Sequence, residues 1–234
     1  MNQVFPNRIV AGRLLAEKLA SHSGRPGLLV LALPRGGVPV AGEVARALQA
    51  PLDVLIVRPV GASSRPRVAL GAVATGGRRG LTSAVIEITG LTPAAIDEAA
   101  ARESHEQDRR ERIYRRGRPA PELRDRPIIL IDDGIATGAT MRRAVAALRA
   151  AGAGRIVVAA PVASRESYLE LREVVFGFVT LNMPRNFSKI QEFYTDFAPT
   201  TDSEVQQLLD HAWCETTAVK PAAGLPTTDP DSSC

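Results

Sequence analysis

Short, wholly apolar runs alternate along the chain with segments whose apolar residues recur every three to four positions. That alternation predicts βα units around a mainly parallel sheet, an α/β fold. Four runs read as buried strands, 28–33, 54–57, 128–131 and 156–160, with 174–181 a weaker fifth. Between them Val40, Val44, Ala47 and Leu48 mark one helix face, and Met141, Val145, Leu148 and Ala151 mark another that Gly152 closes. Asn7 is placed to cap an N-terminal helix whose buried stripe is Val10, Leu14, Leu15 and Leu19. Near the other end, Thr201 and Glu204 have capping-box spacing ahead of Val205, Leu208, Leu209 and Trp213.

The stretch 58–127 is too long for a simple crossover and must hold structure of its own. Residues 68–73 followed by Gly76 and Gly77 suggest a small hairpin, and Thr92 with Pro93 at the first helical position opens a long, charge-laced helix. This excursion is expected to be partly mobile and to lie over a site. One domain over 1–213 is expected, with 182–213 as a C-terminal hood and helix. The segment 214–234 has no apolar period and reads as a disordered tail.

A 234-residue chain with 45% hydrophobic residues can bury one substantial core. Its two cysteines, Cys214 and Cys234, show no metal-ligand spacing with histidine, which fits a reducing cytosol. No apolar run reaches the length of a membrane span, and residues 1–6 lack a signal-peptide pattern, so a cytoplasmic protein is expected. The net charge of +4 suits a polyanion and a phosphorylated metabolite equally well. The arginine-dense stretch 102–126 also carries Glu103, Glu106, Asp108, Glu111, Glu122 and Asp125, and reads as a solvated helix face rather than a nucleic-acid patch.

The chemistry concentrates after the third strand. There Ile128-Ile129-Leu130-Ile131 runs into Asp132-Asp133, then through Gly134-Ile135-Ala136-Thr137-Gly138-Ala139-Thr140 into a helix. A helix start at the carboxyl end of a parallel strand offers backbone N–H groups and a positive dipole end, which suit a phosphate. Thr137 and Thr140 add hydroxyl donors, and Gly138 lets the backbone come close. Two acids just upstream would repel that phosphate, but they accept hydrogen bonds from the vicinal hydroxyls of an attached ribose. No Gly-Lys-Ser/Thr follows, which excludes a Walker A loop. The first strand ends in Pro34-Arg35-Gly36-Gly37: the paired glycines expose backbone N–H groups and Arg35 supplies a fixed cationic fork, a second anion site.

The acidic segment resembles the motif by which type I phosphoribosyltransferases bind 5-phosphoribosyl-1-pyrophosphate (PRPP): four apolar residues, two acids and Thr-Gly-x-Thr. The likeness implies that Asp132 and Asp133 hold the ribose hydroxyls and that Ala136, Thr137, Gly138, Ala139 and Thr140 bind the 5-phosphate. It also makes Pro34, Arg35, Gly36 and Gly37 the pyrophosphate loop, with an unusual peptide geometry expected at Arg35-Gly36. More widely, the chain is similar from Phe5 to Trp213 to a bacterial group of such proteins, through Phe5-x-Asn7-Arg8-x-x-Ala11-Gly12, Leu70-Gly71-Ala72-Val73, Phe193-Tyr194-x-x-Phe197 and Thr201-Asp202-x-Glu204-Val205.

The resemblance implies a fold with a mainly parallel central sheet flanked by helices, a hood, and a long excursion after the second core strand. It implies a transferase that uses PRPP and Mg²⁺, releases pyrophosphate and supplies ribose 5-phosphate to a nucleobase-like acceptor in purine or pyrimidine salvage. Arg35 and Arg58 are then the catalytic cations. Mg²⁺ would be held through PRPP, with Asp132 and Asp133 as candidate protein ligands, and a homodimer is usual. Two departures stand out: Arg58-Pro59 where the group has Arg-Lys, and Arg67 where glutamate is common; both bear on catalytic strength. Ala136 stands where hypoxanthine-guanine enzymes carry an acid, which argues against a 6-oxopurine. Phe187, Phe193 and Tyr194, with Phe197, are candidates for a stacking platform in the base hood, against the plainer reading that they are core beneath the last helix. Tyr114, His105 and His211 have no recognisable partner in the sequence and receive no catalytic role. The alternative function is a non-catalytic PRPP-binding regulator able to bind nucleic acid, although the basic stretch has no helix-turn-helix pattern.

Overall fold

A computed structural model describes residues 3–62, 65–74, 78–81, 105 and 109–218, with the backbone alone for 58–62, 65–74, 78–81 and 216–218. In chain order come α1 (Arg8–Leu19), a 3₁₀ turn (Ala20–His22), β1 (Leu29–Ala32), α2 (Gly37–Leu48), β2 (Leu52–Val54), β3 (Val57–Ala62), β4 (Arg65–Ala74) and β5 (Arg78–Leu81). A helical stretch at 109–115 precedes β6 (Ile128–Ile131), α3 (Ala139–Ala150), β7 (Ile156–Val162), α4 (Arg165–Arg172), β8 (Gly177–Asn182), a 3₁₀ turn (Ile190–Phe193) and α5 (Asp202–Ala218).

Five strands form a parallel sheet in the order β2-β1-β6-β7-β8. Its central strands are apolar at every position because helices cover both faces: β1, β6 and β7 are buried throughout. One face packs Val30, Ala32, Ile129 and Ile131 against α1, α2 and α5; the other packs Leu29, Leu31, Leu130 and Val158 against α3 and α4. No helix of the described residues is long and apolar enough to cross a membrane.

Several expectations shift. On α2, Ala47 is exposed and Ala41 and Ala45 complete the buried face with Val40, Val44 and Leu48. The second strand is 52–54 rather than 54–57. Val54 is its last residue in strand register, although the Leu55 N–H still donates to the Ala32 carbonyl at 2.9 Å, and Leu55 and Ile56 are buried beyond the strand's end. An apolar run records burial, and burial extends past the regular strand here. On α1, the Asn7 side chain does accept from the Val10 N–H at 3.0 Å, but the buried stripe is Ala11, Leu15, Ala16 and Leu19, with Val10 and Leu14 turned to its margin. The cause is a close crossing with α2. A Cβ on Gly12 would lie 2.8 Å from the Val40 carbonyl oxygen, so small residues line the contact. On α5, Val205 and Leu209 are buried but Trp213 is exposed and stacks under Arg118, 5.3 Å from the ring centre. That helix continues to Ala218, past the boundary at 213.

The excursion contains an antiparallel sheet in the order β3-β4-β5, and β4 with β5 is the expected hairpin. Pro59, which lacks a backbone donor, lies on the edge strand β3 beside a register shift, where a ladder tolerates it. The side chains of Arg58 and Arg67, the helix start at Thr92 and Pro93, and the tail from 219 lie outside the described residues. The basic stretch is corrected where it is described. Arg115 is buried, its Nε 3.1 Å from Asp53 Oδ1, while Arg116 and Arg118 pair with Asp210 and Arg126 donates to the Gly27 carbonyl. These arginines fasten elements together rather than forming a merely solvated face.

Candidate active site

Parallel pairing of Leu31 with Leu130 and Ala32 with Ile131 sets β1 and β6 side by side in register, so the loops that leave their carboxyl ends are neighbours. The contact between those loops is tight. A Cβ on Gly36 would fall 2.1 Å from Asp133 Oδ2, and one on Gly37 would fall 2.8 Å from the Ile131 carbonyl oxygen. Both positions therefore demand glycine. The non-standard peptide is cis and lies at Pro34-Arg35, one bond before the expected place. The glycine amides are less available than expected: Gly37 N–H donates to the Leu33 carbonyl at 3.1 Å. Arg35 is the principal anion-binding candidate of this loop. Its guanidinium is half-exposed, with Nη1 3.7 Å from Asp202 Oδ1.

Helix capping distinguishes the second loop. Asn7 caps α1, Ser164 caps α4, and Thr201 with Glu204 forms a reciprocal box at α5. The helices at the two loops, α2 and α3, begin instead at Gly36 and Gly138, and neither receives a side-chain cap. Gly138 takes φ 68°, the left-handed region that favours glycine, and so turns the chain into α3. Thr137 and Thr140 are exposed at its mouth. Below, the loop is braced: Ile135 N–H donates to the Val162 carbonyl at 2.9 Å, Ser164 Oγ to the Ala136 carbonyl at 2.6 Å, and Arg142 Nη1 to the Thr137 carbonyl at 2.9 Å. The one side-chain bond to the amides of this helix start is long, Ala139 N–H to Thr137 Oγ1 at 3.4 Å, so a rigid turn with amides to offer and two exposed hydroxyls is equipped for a phosphate.

The aspartates differ. Asp133 is buried, and its Oδ2 receives Arg8 Nε at 2.7 Å. Asp132 reaches solvent over part of its surface, and its Oδ1 accepts the Asp133 N–H at 2.9 Å. Burial holds the Asp132 carboxyl well above the usual carboxylate range, and the adjacent Asp133 charge pushes the same way. Burial raises Asp133 too, with Arg8 opposing. Among the described residues no three His, Cys, Asp or Glu side chains converge as a metal cage. Of the two acids, Asp132 is the one with residue surface open to solvent.

The aromatic hood is mostly core. Phe193 and Tyr194 are buried with Phe5, Ala11 and Val162, and the Tyr194 hydroxyl donates to the Asp133 carbonyl oxygen at 2.6 Å. Phe187 is half-buried and stacks on Phe193 at 5.6 Å between ring centres. Tyr114 has partners after all. Its ring is fully buried and its hydroxyl donates to Asp202 Oδ1 at 2.5 Å, so one carboxylate joins Tyr114 to Arg35. His105 and His211 are exposed, and His211 faces Glu215 at 3.2 Å. Arg8 and Asp202 both stand inside the Asn7-Arg8 and Thr201-Asp202 landmarks, which was the only signal of their place here.

The model of the phosphoribosyl transferase domain family matches residues 4–198. Two curated proteins from strains of Mycobacterium tuberculosis, provisionally named phosphoribosyl transferases, are 41% identical over 230 residues, 97% of this chain and 52% of theirs. The chain thus spans about half the length of these relatives. The crystal structure of TT1426 from Thermus thermophilus is 41% identical, with a TM-score of 0.77 over 88% of this chain and 98% of that one.

Proposed function

This chain belongs to the phosphoribosyl transferase domain family, and on that premise we propose that it transfers ribose 5-phosphate from PRPP to a nucleobase-like acceptor, with Mg²⁺ and release of pyrophosphate. The observation that carries the reading is the end of β6, where a buried strand delivers Asp132 and Asp133 beside a braced, uncapped turn into α3. The turn suits the 5-phosphate, the acids suit the ribose diol, and the neighbouring Arg35 loop suits the pyrophosphate, so the three polar parts of PRPP have complementary groups in one place.

In the proposed reaction the bond from C1 to pyrophosphate oxygen breaks, a bond from C1 to an acceptor nitrogen forms, and the acceptor's proton passes to solvent. The protein supplies little covalent chemistry. Thr137, Thr140 and the α3 amides fix one end of the sugar, and Arg35 meets charge on the leaving group. Mg²⁺ would be held through the phosphates of the substrate with Asp132 and Asp133 as candidate protein contacts, and would supply charge neutralisation at the leaving group. The acceptor class rests on the family resemblance.

The test is pyrophosphate release from PRPP and Mg²⁺ with a panel of purine and pyrimidine bases. Release that depends on one or more bases supports the transferase. PRPP binding without release on any base overturns it in favour of a PRPP-responsive binding protein.

A further inference from the structure

The two aspartates that end β6 are set in unlike surroundings. Oδ2 of Asp133 lies between Arg8 Nε at 2.7 Å and the backbone of Gly36, where even a Cβ would approach to 2.1 Å. That oxygen is thereby enclosed on two sides. Arg8 makes further contacts: Nη1 donates to the Ala198 carbonyl at 2.8 Å, and the guanidinium lies 3.8 Å from the centre of the Phe197 ring. Tyr194, 5.9 Å from the same guanidinium, donates to the Asp133 carbonyl. The helix dipole does not account for Arg8, because a cation in the first turn of α1 opposes it. Its place is explained by what it joins: the start of α1, the acid at the end of β6 and the segment 194–198.

We infer that Arg8 is a positioning residue that divides the aspartate pair, making Asp133 an internal anchor for the N- and C-terminal segments and leaving Asp132 to hold the ribose hydroxyls. The inference rests on the PRPP reading and makes it unequal across the two acids. A buried ion pair that loses one partner strands the other, so Arg8→Met and Asp133→Asn each weaken the fold, whereas the double variant strands nothing.

The experiment measures the thermal midpoint and calorimetric Mg²⁺·PRPP affinity for Asp132→Asn, Asp133→Asn, Arg8→Met, Arg8→Lys and the Arg8→Met/Asp133→Asn double variant. Asp132→Asn is expected to lose at least about tenfold in affinity with its midpoint kept. Asp133→Asn and Arg8→Met are expected to lower the midpoint by roughly 6–12 °C each, with the double variant well above the sum of the two losses. Asp132→Asn and Asp133→Asn are also each combined with Arg8→Lys, which keeps the charge but not the fork, and the affinity gap between them is expected to narrow in that background. That readout keeps the proposal open to refutation if Arg8→Met does not fold. Equal affinity losses for the two Asp→Asn variants, or additive midpoints for Arg8 and Asp133, overturn the division. Unchanged affinity in both Asp→Asn variants overturns the PRPP site itself, and the division with it.

Discussion

At Gly36 the absence of a side chain is a steric requirement. The added methyl of Gly36→Ala would meet a carboxylate that Arg8 prevents from retreating, so the variant is expected to lose about 1–3 kcal/mol of stability. Urea unfolding measures it, and the same variant should bind PRPP at least about tenfold more weakly. Tyr114 gives a second residue-level prediction. Burial, with the bond to Asp202, raises its hydroxyl to about 12. A folded pKa above the ordinary value of 10 means that the folded state retains a proton the unfolded chain has lost. This contribution to stability is therefore undiminished below pH 10 and changes only as pH rises from 10 towards 12, where stability falls. Absorbance titration of tyrosinate should show Tyr114 ionising about two pH units late, and Tyr114→Phe should remove that step at a cost of about 1 kcal/mol. The sequence made the acids, glycines and threonines legible because their chemistry lies in contiguous motifs. Arg8 and Tyr114 stayed hidden because their partners are 125 and 88 positions away, and nothing local marks such pairs.

Among the elements, the helices divide by how they begin. Asn7→Ala should cost about 1 kcal/mol of stability by urea unfolding, as loss of a helix cap does. Thr137→Ala, at a helix start without a side-chain cap, should spare stability and weaken PRPP about tenfold by calorimetry. The apolar runs gave strand positions closely at β1, β6 and β7, whose neighbours bury them on both faces. They failed at β2, where Leu55 and Ile56 stay buried beyond the last ladder pair. The α1 stripe was rotated because hydrophobicity favours Val10 and Leu14, while the crossing with α2 selects Gly12 and the alanines for their size. A ranking by apolarity has no term for backbone approach.

Across the whole molecule, the strand order β2-β1-β6-β7-β8 decides which loops meet. β1 and β6 are neighbours although Leu31 and its partner Leu130 stand far apart in the chain, so their loops converge only through the fold. Alternation of runs and amphipathic segments disclosed the parallel α/β class but not this order, since periodicity says what an element buries and not beside which strand. The convergence is also what makes the central claim testable in one step, because PRPP carries phosphorus at each end. Phosphorus NMR of Mg²⁺·PRPP titrated with the protein should perturb the 5-phosphate and both pyrophosphate resonances together, with Thr137→Ala weakening the effect. Resonances unmoved by equimolar protein would contradict the account.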